Sequence, residues 1–107
     1  MDMKKDYQKR ITCQKHKRHI EKYDGNMQEL VNDIGDLHYE ALESFFDLLT
    51  EKIKEDSWKD KQGGRELLGE GLYELALSIS KSAQITERIY DICAPHMGEE
   101  KRFKLDE

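Results

Sequence analysis

At 107 residues and 12.7 kDa the chain has room for one modest core, because a globular chain of about this length buries roughly two-thirds of its extended surface. Hydrophobic residues make up 36% and charged residues 38%, with a single proline, which suits helices that bury one face and solvate the others. The net charge of -5 is unevenly spread: residues 1–22 carry Lys4, Lys5, Lys9, Arg10, Lys15, Lys17, Arg18 and Lys22 against Asp2, Asp6 and Glu21, a local +5 that leaves -10 for the rest. No apolar run reaches the roughly 20 residues that span a bilayer, and the opening MDMKKDYQKR lacks the apolar stretch of a signal peptide. A cytoplasmic protein with no membrane segment is the expectation, with Cys13 and Cys93 as thiols.

The first predicted element is a helix over 4–22, a stretch free of proline and glycine and rich in helix formers. Its apolar pattern is poor. Tyr7 and Ile11 fall on one side, and Cys13, His16, Ile20 and Tyr23 on nearly the opposite side, at 100° per residue. Asp24-Gly25-Asn26 then supplies a turn, and Asn26 with Glu29 three residues on resembles a capping box.

The second predicted helix, 27–55, carries the strongest periodicity in the chain. Leu30, Ile34, Leu37, Ala41, Phe45 and Leu48 recur at steps of three and four, the signature of one helical face. Val31, His38, Leu42, Leu49 and Ile53 form a flanking row, and Phe46 widens the face further. A face this wide needs two neighbours. On the opposite side Asp33, Asp36, Glu40, Glu43 and Asp47 make an acidic row. Like charges at that spacing cost a few tenths of a kcal/mol per pair, so the row is either simply solvated or receives cations, from the basic N-terminal arm or from a partner.

A polar connection over 56–64 follows, with Trp58 as its one large apolar group: a plug over the hairpin end or an exposed binding anchor. The third predicted helix, 65–93, shows Leu68, Leu72, Leu75, Ile79 and Ala83, then drifts to Ile85, Ile89 and Ile92. Gly69, Ala76, Ser80 and Ala83 share one side with little bulk, where another helix can come close. Pro95 disfavours helix at Ala94, which sets the expected end near Cys93 and leaves 96–107 as a loose tail.

Chemistry-bearing patterns are few. Cys13-Gln-Lys-His16, with His19 beyond, and Cys93-Ala-Pro-His96 are Cys-x-x-His spacings that could fill a tetrahedral zinc site. Antiparallel helices would bring only His19, Cys93 and His96 together, however, so no metal is expected within one chain, and a site shared across a dimer stays open. His38 reads as a hydrogen-bonded structural histidine. Gly63-Gly64 with Gly69 and Gly71 lacks the lysine of a phosphate-binding loop. No enzyme and no cofactor are expected.

The resulting expectation is an all-α single domain: a long antiparallel helical hairpin with a shorter basic N-terminal helix, dimerising into a helical bundle because a hairpin cannot cover its own wide apolar face. The function expected is that of a small non-catalytic interaction or regulatory protein. Its protein-binding candidates are Asp33, Asp36, Glu40, Glu43 and Asp47 on the acidic row, Lys9, Arg10, Lys17 and Arg18 on the arm, and Trp58. The alternative is a nucleic-acid-associated dimer whose basic arm supplies phosphate contacts.

Overall fold

The computed structural model describes residues 16–97, and every described element is helical or a turn. Among the described residues three helices occur in chain order: α1, Met27–Gly35; α2, Tyr39–Gln62; and α3, Glu66–Met97. The chain divides into two compact units, Met1–Asp33 and Ile34–Glu107, with the boundary inside the last turn of α1.

In the first unit, residues 16–22 are bends and a turn, not the helix expected there, and residues 4–15 lie outside the described residues. Good propensity did not suffice. With apolar residues split between opposite sides, no face could be buried, and burial rather than propensity supplies most helical stability in proteins. The capping box at Asn26 forms in full: its side-chain oxygen accepts from the Glu29 amide at 2.8 Å, and Glu29 Oε1 accepts from the Asn26 amide at 2.8 Å. Both bonds satisfy amides that a helix N-terminus leaves open.

The expected 27–55 helix is broken. Gly35 ends α1, Asp36 and Leu37 form a turn, and His38 caps α2, its Nδ1 accepting from the Glu40 amide at 3.1 Å. The break has a local cause in Gly35, whose backbone freedom costs up to about 1 kcal/mol in a helix, and in the new cap three residues on.

The connection expected over 56–64 is in fact mostly helix. Nothing in 56–62 breaks α2, and the ion pairs Lys52–Asp56 and Glu55–Lys59 support its last turns. The reversal needs only Gly63, Gly64 and Arg65. The Arg65 amide donates to the Asp60 carbonyl at 2.8 Å and the Gly64 amide to the Lys61 carbonyl at 3.1 Å, the paired bonds of a Schellman ending. Gly64 takes the left-handed conformation that this ending requires, with φ of 85°.

α2 and α3 pack antiparallel along their length, as shown by Ser57 against Gly69 near the turn and His38 against Tyr90 at the far end. α3 runs on through Pro95 to Met97, past the expected stop at Cys93. A proline here loses one hydrogen bond and crowds the carbonyl one turn back, but with only His96 and Met97 beyond it in the helix no long segment has to be redirected.

The side of α2 that is buried differs from the expected stripe. Leu48 is 72% exposed and Ala41 is exposed, whereas the fully buried positions are Thr50 and Ser57 on α2 and Gly69, Ala76, Ala83 and Thr86 on α3. All are small. Thr50 and Ser57 are seven residues apart, as are Gly69, Ala76 and Ala83, so two rows at coiled-coil spacing meet in a narrow seam. The hydroxyls of the three small buried residues are satisfied: Ser57 donates to the Gly69 carbonyl at 2.6 Å across the seam, Thr50 to Phe46 O at 2.8 Å and Thr86 to Ser82 O at 2.7 Å along their own helices. A serine reaching the backbone of the opposite helix fixes how close the two helices lie.

Candidate functional site

The seam divides the hairpin into two faces of different chemistry. At 100° per residue, Leu42, Leu49 and Ile53 lie to one side of the Thr50–Ser57 row, and Leu68, Leu75 and Ile89 lie to the same hand of the Gly69–Ala83 row. In an antiparallel pair these flanks form one face. His38 and Tyr90, whose rings meet edge to face at 5.6 Å, mark its open end, and the Arg65–Asp60 ion pair at 2.8 Å marks its turn end. Among the described residues the face is not fully covered: Leu68 is 52% and Leu75 46% exposed, while Leu42, Leu49 and Ile53 are half-buried.

The other face carries the charged cluster, beside exposed Trp58, Tyr73 and Leu77. Lys61 stands 5.5 Å over the Tyr73 ring near the turn, where Trp58, 62% exposed on α2, does not fold over the hairpin end as a plug would. Toward the open end Glu43 shares its surroundings with Glu40 and Asp47 of α2 and with Glu87 and Asp91 of α3. Partial burial, and then these four carboxylates in the order Glu87, Asp47, Glu40, Asp91, push the Glu43 carboxyl above the usual glutamate range.

The acidic row read from the sequence is therefore split and rebuilt. Glu40, Glu43 and Asp47 remain together on α2 and gain Glu87 and Asp91 from the facing helix. Asp36 sits in the turn between α1 and α2 and is exposed. Asp33 belongs to the first unit, where the Tyr23 hydroxyl donates to it at 2.5 Å. That bond, followed by burial and the charges of Asp33 and Glu29, pushes the Tyr23 phenol up to about 12. Of the basic arm, Lys9 and Arg10 lie outside the described residues. Lys17 and Arg18 are exposed, and Lys17 pairs with Glu21 at 2.8 Å. Sequence reasoning missed Glu87 and Asp91, which become legible only once the hairpin register pairs residue 43 with residue 87.

Among the described residues no three of His, Cys, Asp and Glu stand close enough together to hold a metal ion, and no helix is long and apolar enough to cross a membrane. Cys93 is a free, half-buried thiol, and Cys13 lies outside the described residues.

The carboxylate cluster has a measurable consequence. A carboxyl whose folded-state pKa is raised stabilises the fold when protonated and loses that contribution as pH rises through the folded-state value. Glu43→Gln is expected to melt at a higher temperature than the parent at pH 7, and the gap should close below about pH 4, where the unfolded-state glutamate is also protonated. Thermal unfolding of both proteins across this pH range checks it; a gap that persists unchanged in acid would mean that Glu43 acts through packing.

The fold is thus an antiparallel helical hairpin preceded by a short capped helix. No protein-family model matches the chain, and no curated protein and no solved structure is similar to it.

Proposed function

We propose that this chain is a small non-catalytic helical interaction or regulatory protein of the cytoplasm, acting through protein–protein contacts made by the α2–α3 hairpin. The observation that carries this reading is that the hairpin closes on small residues and leaves many of its large apolar side chains exposed. The only fully buried hydrophobic side chains among the described residues are Ala76 and Ala83. At about 0.8 kcal/mol per buried methylene-sized group, two alanines contribute little against a backbone ordering cost of roughly 1–2 kcal/mol per residue. Leu68, Leu75 and Ile89 are exposed on one face, and apolar side chains left exposed together mark a surface made to meet another protein.

The acidic cluster on the opposite face favours this reading over nucleic-acid binding, since five carboxylates on the hairpin repel a phosphate backbone. The full chain immobilised in native cytoplasmic extract is expected to retain protein, its own copies included, through a high-salt wash, because apolar contacts are not screened as ionic ones are. Leu68→Glu should abolish that retention. Retention of nucleic acid that is lost at high salt would overturn the proposal in favour of the basic arm as a phosphate-binding element.

A further inference from the structure

We infer that the occupant of the apolar hairpin face is a second copy of this chain, packed face to face about a two-fold axis so that two hairpins form a four-helix core. This rests on the reading of that face as a contact surface, and it adds the identity of the partner.

Size is the first argument. α2 has 24 residues, about 36 Å at 1.5 Å per residue, and two helices side by side span about 20 Å. The face therefore offers on the order of 700 Å², close to the roughly 800 Å² per partner of a stable standard-size interface.

Charge is the second. A surface that meets its own copy must not repel itself, because every unpaired charge would approach a like charge across or near the axis. The charged groups on this flank are already neutralised within the chain, Lys52 with Asp56 at 2.5 Å and Arg65 with Asp60 at 2.8 Å. The opposite face, with Glu40, Glu43, Asp47, Glu87 and Asp91, could not self-associate without bringing ten carboxylates of two copies together. Of the two faces, only the apolar one is self-compatible.

The third argument is what the fold lacks. A hairpin whose seam is built from serine, threonine, glycine and alanine needs its partner for folding as well as for function, and the partner always produced along with the chain is another copy of it. Full overlap of two such faces places the axis at mid-hairpin, beside Leu49 and Leu75.

Sedimentation equilibrium of the full chain at tens of micromolar should give twice 12.7 kDa, and the melting temperature should rise with protein concentration, as it does for any folding-coupled dimer. Leu75→Glu places a charge at the centre and should weaken association by at least about 30-fold. Leu77→Glu is the control: Leu77 is as exposed as Leu75, 48% against 46%, but lies on the other side of α3 and should leave the dimer intact. The concentration dependence of the wild-type melting temperature decides the matter even if Leu75→Glu fails to fold. A wild-type monomer with a concentration-independent melting temperature overturns the self-pairing, as does a dimer broken by Leu77→Glu and not by Leu75→Glu. The two readings fail separately. If such a monomer retains a different protein in a manner sensitive to Leu75→Glu, the contact surface stands with another occupant; if it retains none, both readings fall.

Discussion

Gly69→Ala is expected to destabilise the protein, whereas Gly71→Ala, two residues further along the same helix, is expected to stabilise it. Replacing glycine by alanine within a helix ordinarily gains up to about 1 kcal/mol, because alanine loses less backbone freedom on folding. At Gly71 nothing lies within 4 Å of where a Cβ would stand, so that gain should appear undiminished. At Gly69 a Cβ would lie 2.5 Å from Lys61 Cγ, 3.0 Å from the Ser57 carbonyl oxygen and 3.3 Å from the Lys61 amide nitrogen. The lysine side chain can swing aside; the backbone atoms of α2 cannot. Relief requires α3 to move away from α2, which stretches the Ser57–Gly69 hydrogen bond and loosens the seam. Overpacking of this kind costs about 1–3 kcal/mol, and a net loss of about 1–2 kcal/mol corresponds to a fall of several degrees in melting temperature for a chain of this size. Denaturant unfolding of both variants beside the parent checks it, and equal stabilisation by the two alanines would show that the helices do not approach as closely as the Ser57–Gly69 bond implies.

Ala76→Leu should cost more, about 3 kcal/mol, at the upper end of what added core bulk costs. Ala76 is 0% exposed and Ala83 2%, both on the narrow seam. A leucine here has no open space to enter, so α3 must move away from α2 to admit it. Taken from composition alone, the substitution would look favourable, as an addition to an apolar-poor chain. Chemical denaturation at several protein concentrations separates two effects: a loss at every concentration reports the seam, while a loss confined to dilute protein would report association instead.

Part of this architecture was legible in the sequence, and the misses share a cause. The all-helical fold, the capping box at Asn26 and Glu29, and the small side of α3 along Gly69, Ala76 and Ala83 are local patterns, and local patterns decide them. The 35–38 break was hidden because Leu30, Ile34, Leu37 and Ala41 keep helical spacing across it. Gly35 was the available signal, outvoted by periodicity. The polar run 56–62 read as a loop because Trp58 is its one large apolar residue, yet an exposed helix needs no apolar row, and i,i+4 ion pairs hold the turns instead. The candidate surface was half legible: Glu40, Glu43 and Asp47 lie on one stretch, whereas Glu87 and Asp91 join them only through the pairing of two helices.

What the sequence by itself determined, then, is that the chain is helical and which side of α3 is too small to keep a neighbour away. What only the tertiary structure decided is which side of α2 turns inward. The periodic stripe of large residues was expected to be the buried one, but two helices held together through a Ser57 hydroxyl and the bare backbone of Gly69 are too close to enclose leucines between them. Large side chains are therefore left outside the seam, Leu68, Leu75 and Ile89 on one flank and Leu48, Leu67, Leu77 and Ile92 elsewhere on the hairpin. Periodicity reports that a helix has an apolar side, but not whether that side is filled by the chain's own second helix or left for another molecule, because that choice depends on the distance between helices and not on the spacing within either.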